Sequence, residues 1–390
     1  MNRVRSFVLV ASIGVVLVLV GGGLIVTVGA AESSYRQAVL FAEILSQVSD
    51  NYVDPVDTTI LLDGAYERML AGLDANGAYL SPSEVVEWNK KRSGDLVGPG
   101  FSVLRVGRIL QVVAVEPGSA AEAGGLAVGD HVRSVDGMLV ADLSLGQARR
   151  RLEGEAGTMV DVEVLHPADS FRRARIESVR RATARAGFHV GIEDGIAVLR
   201  IDDLGAADPK RVAAELDDVR SRGVAHLLVD LRFLADGGPR DIARTAPLLA
   251  GAVRLRLRDR SGRLVDSVEK EAAESAWPGQ VSVLVNGATA GGAEALALLL
   301  RLGRKARVYG EPTYGLGAEP KLLELDNGAG IVVSALRWET ELGETWNGDG
   351  LKPDDVIEGR GDDPESAGAD QLRQVLERLH AADAASARPT

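Results

Sequence analysis

Residues 7–28 form a long, mostly apolar stretch without a charged side chain, and Arg3 and Arg5 stand just before it. As a helix this stretch would be roughly 33 Å long, close to the hydrocarbon thickness of a bilayer. We therefore expect residues 1–30 to be a signal anchor or transmembrane segment, with the remaining chain on the exported, periplasmic or extracytoplasmic side. The small residues before Ala31 also fit a cleavage site after Ala30, and cleavage there would make the protein secreted.

The next segment has the spacing of amphipathic helices. Apolar residues recur at helical intervals in residues 35–53, and the pattern repeats in residues 61–73. Pro55 and the turn-forming residues 74–77 interrupt it. The pattern predicts a small helical domain over residues 34–92.

Short stretches of alternating apolar and polar residues occupy residues 93–182, which predicts a β-rich domain. Residues 117–121 are expected to open a short helix, and Asp136-Gly137 to form a tight turn between strands. A second helix is predicted at residues 143–152, followed by a strand at residues 158–165.

Strands and helices alternate over residues 183–360. The segments 195–201, 225–231 and 281–286 are continuously apolar, which is typical of strands buried on both faces of an α/β sheet. Ligands bind such sheets at the carboxyl ends of the strands, which directs attention to Asn286 and the residues after it. Residues 361–390 are expected to hold one helix and a disordered tail. The predicted fold class is multidomain α+β with a membrane helix, a helical domain, a β-rich domain and an α/β core of βα repeats.

Charge and composition exclude several classes of function. The formal net charge is −12 and the sequence pI about 5.1, which opposes binding to nucleic acid or to an anionic membrane surface. The chain has no cysteine, so disulfides and thiolate chemistry are excluded. The five histidines are scattered without a metal-ligand spacing. No metal and no cofactor are expected.

Three parts of the chain resemble the carboxyl-terminal processing serine peptidases, also called tail-specific proteases. The segment NYVDPVDTTILLDGAYERMLAGLDANGAYLSPSE resembles their amino-terminal helical segment. The segment ILQVVAVEPGSAAEAGGLAVGDHVRSVDG resembles their circularly permuted PDZ domain, with one extra glycine at Gly124-Gly125. Residues 183–360 resemble their core domain. The resemblance covers residues 35–359 and implies a PDZ domain at residues 93–182.

In that family a serine nucleophile precedes a helix, and a lysine 25 residues later acts as the general base, supported by a glutamine. The corresponding turns in this chain read VSVLVNGATAGGAEALALLL and GEPTYGLGAEPKL. The resemblance places the nucleophile position at Gly291, the base position at Leu316 and the supporting position at Pro320. Glycine cannot form an acyl-enzyme and leucine cannot accept a proton, so no catalytic residue is expected.

Two further features bear on catalysis. Thr289 has a hydroxyl near the nucleophile position, and Lys305 or Lys321 could supply an amine, but a displaced nucleophile would point away from the oxyanion donors. The family's DLRxNxGG loop, which helps to shape the oxyanion region, reads DLRFLADGG at residues 230–238 and has one additional residue. Catalysis by a substitute group is therefore disfavoured.

The PDZ resemblance implies a peptide-binding groove. The loop around Gly98, Gly100 and Phe101 can turn its N–H groups towards a terminal carboxylate, although Pro99 removes one donor. The alternative is a plain Gly-Pro turn. The adjoining strand would pair with the ligand as an added strand, and one face of the following helix would line the groove. The predicted peptide-binding residues are Gly98, Gly100, Phe101, Ser102, Val103, Leu104, Leu145, Ala148 and Leu152.

The sequence leaves three functions open. We expect an exported, membrane-anchored pseudopeptidase whose PDZ groove binds the carboxyl-terminal segments of peptides or proteins. The alternatives are an active serine endopeptidase that processes carboxyl termini, and a structural envelope scaffold. Expected partners are peptide or protein carboxyl termini, the membrane through the amino-terminal helix, and either a second copy of the chain or an active peptidase.

Overall fold

The computed structural model describes residues 35–386, apart from gaps at 93–97, 107–108, 116–118, 155–156, 167–171, 179–186, 206, 236, 275 and 362–363. The predicted anchor at residues 1–30 lies outside the described residues. Within the described part, no helix has the length and apolar character needed to cross a membrane. The chain divides into two units, Met1–Tyr66 and Glu67–Thr390.

The first elements are mainly helical, as the sequence predicts. Helix α1 covers residues 35–51, α2 covers Thr58–Ala71 and α3 covers Pro82–Arg92. A short strand, β1 (Ala78–Leu80), lies between α2 and α3 and pairs antiparallel with a strand of the core. The sequence analysis did not predict this strand, because three residues are too few to show an alternating pattern.

A six-stranded antiparallel sheet follows, with the order of elements that the PDZ resemblance implies. Strand β2 is at one edge and carries the predicted groove, and the order is β2-β3-β4-β6-β7 with β5 paired to β4. Helix α5 packs beside β2 and starts with a capping box between Ser144 and Gln147. The elements are β2 (Phe101–Val106), β3 (Ile109–Val115), α4 (Ala120–Ala123), β4 (His131–Val135), β5 (Met138–Leu139), a 3₁₀ helix (Val140–Asp142), α5 (Leu145–Leu152), β6 (Thr158–Leu165) and β7 (Arg172–Ser178).

The core contains a second six-stranded sheet, in the order β17-β14-β13-β10-β9-β8. The neighbouring strands are parallel except for the β8–β9 pair, so the predicted βα repeats are confirmed. Every residue of β10 is buried, which explains its continuous apolar sequence. The elements are β8 (Phe188–Glu193), β9 (Ile196–Ile201), α6 (Pro209–Ser221), β10 (His226–Asp230), α7 (Pro239–Leu249), β13 (Gln280–Val285), α8 (Gly292–Arg304), β14 (Arg307–Gly310), β17 (Asp355–Val356) and α9 (Pro364–Ser386).

A third sheet, which the sequence analysis did not predict, is antiparallel. Strand β16 pairs with β1 and β11 at different ends and with β15 along its other edge, while β12 pairs with β11. The missed signal is the strict alternation of valine, leucine and arginine in β11. The strands are β11 (Val253–Asp259), β12 (Leu264–Lys270), β15 (Ala318–Glu324) and β16 (Gly330–Thr340).

Candidate functional site: a catalytic-type turn and a PDZ groove

The nucleophile position lies in a sharp turn between β13 and α8. Gly291 has φ 62° and ψ −116°, a backbone conformation that residues with a side chain rarely adopt. The turn is fixed by Asn286, whose side-chain oxygen accepts hydrogen bonds from the N–H groups of Phe233 and Ala288, both at 3.1 Å. Such a strand–turn–helix is the geometry that exposes a nucleophile in many hydrolases.

The structure brings the two predicted catalytic positions together. A Cβ added to Gly291 would lie 3.9 Å from the Leu316 Cδ2 atom. A side chain at position 291 and one at position 316 would therefore be in contact, as a nucleophile and its base must be. Gly291 offers no side chain there, and Leu316 packs its apolar side chain against the buried PDZ cluster.

A buried carboxylate joins these two turns. Glu294 is fully buried, and one of its oxygens accepts hydrogen bonds from the N–H groups of Gly291 and Leu316, both at 2.8 Å. The other oxygen accepts the N–H of Gly315 at 2.6 Å and the hydroxyl of Thr313. Burial raises the pKa of Glu294 to about 7, while its four donors act in the opposite direction.

The oxyanion region is closed by a carbonyl group. The N–H of the residue after a nucleophile usually stabilises the oxyanion at such a turn. Here that residue is Gly292, and its N–H donates to the carbonyl of Gly237 at 3.1 Å. The same loop accepts a second bond, from the N–H of Ala290 to the carbonyl of Leu234 at 3.0 Å. The N–H of Gly292 thus already donates a hydrogen bond within the protein.

The loop that makes these contacts is the one with the additional residue. Its Phe233 has φ 63°, which is strained for a residue with a side chain and costs about 1–3 kcal/mol. The Phe233 side chain packs against the PDZ cluster. The loop with the additional residue thus combines a strained backbone at Phe233 with carbonyl groups that accept hydrogen bonds from the turn at Gly291.

The candidate substitutes for catalysis are engaged in local structure. Thr289 is fully buried, and its hydroxyl donates to the Leu231 carbonyl at 3.0 Å while accepting the Asn286 N–H at 3.0 Å. Lys305 caps the carboxyl end of α8, and Lys321 lies in β15 next to Pro320. The Thr289 hydroxyl has a structural role.

The predicted carboxylate loop precedes β2. Gly100 has φ 87°, so the turn uses the conformational freedom of glycine, whereas Gly98 is exposed. The carbonyl of Pro99 accepts the N–H of Ala121 at 3.2 Å, which fastens the loop to α4. Phe101, Ser102, Val103 and Leu104 follow in β2, whose second edge pairs with no other strand among the described residues.

The predicted floor of the groove is buried against the core. Leu145, Ala148 and Leu152 all belong to one cluster with Val103 and Leu104. Three alanines of the core loops complete this cluster: Ala235, Ala288 and Ala290. The groove side of the PDZ domain therefore packs against the loops that surround the nucleophile position.

Two side chains that the sequence analysis missed occupy the ligand edge of β2. The guanidinium of Arg149, on α5, donates to the Val103 carbonyl at 3.2 and 3.3 Å and to the Ala235 carbonyl at 3.2 Å. Tyr314, two residues before Leu316, lines a cavity together with Arg105. The Val103 carbonyl, which would pair with a ligand strand, thus already has a partner within the protein.

A PDZ-type sheet packed on an α/β core, with a sharp turn before a buried helix, is the architecture of a PDZ-containing peptidase. Comparison with known proteins agrees. Residues 195–357 match the model of peptidase family S41, and residues 111–165 match the PDZ domain model. The chain therefore contains a peptidase family S41 domain and a PDZ domain, and carboxyl-terminal processing proteases are its homologues.

Two relatives and one solved structure illustrate the similarity. The carboxyl-terminal-processing protease of Picosynechococcus sp. is 29% identical over 76% of this chain and 73% of its own. The carboxy-terminal-processing protease of Bartonella bacilliformis is 26% identical over 85% of this chain and 78% of its own. The structure of the photosystem II D1 C-terminal processing protease superposes with a TM-score of 0.61 at 23% identity, covering 86% of this chain and 96% of that chain.

Introducing serine at position 291 and lysine at position 316 tests whether the turn is strained and whether its oxyanion donor is occupied. A Cβ at position 291 would lie 3.2 Å from the Gly237 carbonyl oxygen, and the residue has a positive φ. We expect Gly291→Ser combined with Leu316→Lys to lower the free energy of unfolding by about 1–3 kcal/mol. A serine-directed phosphonate should label this variant at under about a tenth of the rate of an active homologue, since loss of one oxyanion donor costs about 3 kcal/mol. Urea unfolding and intact mass measure both effects.

The single variant Gly291→Ala is the matched control, because it introduces the backbone strain without a nucleophile. It should be destabilised by a similar amount and remain unlabelled. Labelling of the double variant at the rate of the homologue would show that the Gly292 N–H is available to an oxyanion.

The buried carboxyl of Glu294 predicts a pH dependence of stability. Its pKa in the folded protein, about 7, exceeds the ordinary 4.5, so the folded protein retains a proton that the unfolded chain releases. The free energy of unfolding should fall by as much as about 3 kcal/mol as the pH rises from 4.5 to 7, and it should level off above pH 7. Glu294→Gln does not titrate and should show a flatter pH profile in urea unfolding, at lower overall stability, because its amide faces four donors. Parallel profiles for the two proteins would contradict this assignment.

Proposed function

We propose that this protein is an exported pseudopeptidase that binds the carboxyl-terminal segments of peptides and does not cleave them. The observation that carries this proposal is that Gly291 and Leu316 face each other at the predicted nucleophile and base positions. The N–H of the adjacent Gly292 donates to the Gly237 carbonyl. Acyl transfer requires a nucleophile, a base and a stabilised oxyanion. Position 291 offers no nucleophile, position 316 offers no base, and the N–H that would stabilise an oxyanion is already hydrogen-bonded.

The proposal departs from the activity that the names of the relatives state. Those relatives are called processing proteases, and an active serine endopeptidase is the competing candidate. Thr289 would have to serve as its nucleophile. The hydroxyl of Thr289 already makes two hydrogen bonds in a fully buried position, which opposes that role.

Peptide binding is assigned to the PDZ groove. The Gly98–Phe101 loop can direct N–H groups at a terminal carboxylate, and the edge of β2 can add a ligand strand. In the structure this edge is closed by Arg149 and Tyr314. A ligand must therefore displace both side chains, so its apparent affinity is its intrinsic affinity multiplied by the fraction of molecules in the open state.

Displacement of Tyr314 links the groove to the vestigial site. Tyr314 lies in the turn that Glu294 holds through Gly315 and Leu316. A peptide that enters the groove would therefore disturb the 313–316 turn, and the bound state would present a different surface to a partner. We propose that this partner is an active peptidase or a second copy of the chain.

The location of the protein follows from the amino-terminal sequence. We propose that residues 1–30 anchor it in the membrane with its folded part on the exported side, or are removed after Ala30. The apolar stretch of residues 7–28 and the arginines before it support this proposal.

Binding of free carboxyl termini tests the proposed function. We expect a labelled free-acid peptide with an apolar carboxyl terminus to bind at least about tenfold more tightly than its amidated form, because only the free acid offers a carboxylate to the loop. Fluorescence polarisation with the purified protein measures both affinities. Equal affinities would mean that the Gly98–Phe101 loop is an ordinary turn.

Two glycine variants sharpen this experiment. Gly100 and Gly157 have similar φ values, 87° and 84°, so an alanine at either position introduces comparable strain. Gly100→Ala should weaken binding of the free acid because it distorts the carboxylate loop. Gly157→Ala lies in the turn before β6 and should leave the affinity unchanged.

A further inference from the structure

Two arginines lie near the edge of β2 that faces away from β3. Arg149 projects from α5 into the space between that helix and the strand, where it contacts the Val103 carbonyl. Arg105 is part of β2 itself, and its guanidinium donates to the carbonyls of Val140 and Leu143 at 2.8 and 2.6 Å. Both arginines interact electrostatically with Tyr314, which places them in the same region of the groove.

Neither arginine is paired with a carboxylate in the part of the chain that the structure describes. The hydrogen-bond acceptors of both guanidinium groups are neutral backbone carbonyls. Burial lowers the pKa of Arg105, which reflects the loss of solvation of its charge. Many other arginines in the described part of the chain form ion pairs, for example Arg151 with Glu84 and Arg258 with Glu339. Among the described residues, the positive charge of the groove therefore has no ion-pair partner.

We infer that the groove selects peptides with an acidic side chain two residues before the carboxyl terminus. This inference rests on the proposed function, because it specifies the ligand of the same groove. Arg149 is the residue that recognises the acidic side chain.

The position of the acidic residue follows from strand geometry. A ligand whose terminal carboxylate sits at the loop before β2 and which extends along β2 runs antiparallel to it. If the terminal residue lies opposite Phe101, the residue two positions earlier lies opposite Val103, the residue that Arg149 contacts. Side chains two residues apart point to the same face of a strand, so both would face α5.

The preference has a physical cause in the displacement of Arg149. A ligand strand replaces the Arg149 guanidinium at the Val103 carbonyl, and a neutral ligand leaves this partly buried cation with only the Ala235 carbonyl of its two present acceptors. An aspartate or glutamate provides a charge-assisted and potentially bidentate partner instead. The protein's net charge of −12 opposes acidic ligands only weakly, because fields from distant charges are screened beyond about 8 Å at physiological salt.

A neighbouring cavity is less suited to the acidic side chain. It has a volume of about 360 Å³ and is lined by residues that include Asp74, Arg105, Ser144, Leu145 and Tyr314. Asp74 also lines this cavity, and its negative charge would repel a second carboxylate placed there. Arg149 therefore remains the recognition group.

Paired peptides test the inference. Two fluorescein-labelled free-acid decapeptides, identical except that one ends in Asp-Ala-Val and the other in Asn-Ala-Val, are titrated with the purified protein. We expect the aspartate peptide to bind about five- to tenfold more tightly at physiological salt. Arg149→Gln should remove this difference by weakening binding of the aspartate peptide, while the asparagine peptide binds at least as tightly as before. Arg149→Lys should keep part of the difference.

Arg151→Gln is the matched control, because Arg151 lies on the same helix, in an ion pair with Glu84. It should leave the preference unchanged. Equal binding of the two peptides to the unaltered protein, or loss of the preference in the Arg151 variant alone, would overturn the acidic selectivity while the proposed function stands. Binding of neither peptide would overturn the proposed function and this inference together.

Discussion

The buried carboxylate of Glu294 holds together the two turns that form the candidate site. Its two oxygens join the nucleophile turn at Gly291 to the turn that contains Thr313, Gly315 and Leu316. A fully buried charge or acid is stable only when its hydrogen-bonding capacity is filled, and four donors fill it here. The strand–turn–helix geometry is therefore present in a chain that has glycine and leucine at the two predicted catalytic positions.

The loop at residues 231–235 and Gly237 connects this geometry to the PDZ domain. Its carbonyls accept the N–H groups of Ala290 and Gly292 on one side, and the Arg149 guanidinium on the other. Phe233 and Ala235 of the loop pack with the buried residues of the PDZ domain. The strain at Phe233 is compensated by these contacts, since a positive φ persists only where its surroundings impose it. Closure of the oxyanion region and closure of the groove are thus parts of the same interface.

Much of this arrangement could be predicted from the sequence where local pattern determines it. The continuously apolar segments of β9, β10 and β13 predicted a buried parallel sheet. The spacing of the two family-like turns placed Gly291 opposite Leu316, and the structure brings these two positions into contact. The helix at residues 143–152 was also predicted, because the PDZ resemblance implies a helix there, and α5 covers Leu145–Leu152.

The contacts that close the site could not be predicted, because they join residues distant in sequence. The bond between Gly292 and Gly237 depends on the path of a loop whose added residue has no pattern of its own. The sequence gives partial information on Arg149. Three consecutive arginines on a helix span roughly 200° around its axis, so they cannot all face solvent on a helix packed beside a strand. The pattern does not show which of them faces the groove.

The most direct measurement of the central claim is hydrolysis of an unstructured protein by the purified chain. Casein is incubated with the unaltered protein and with Thr289→Ala, and new amino groups and peptide masses are followed over time. We predict no turnover above a blank for either protein, because Gly291 and Leu316 offer neither a nucleophile nor a base and the Gly292 N–H donates to the Gly237 carbonyl. Turnover by the unaltered protein that Thr289→Ala abolishes would contradict the account and identify Thr289 as the nucleophile.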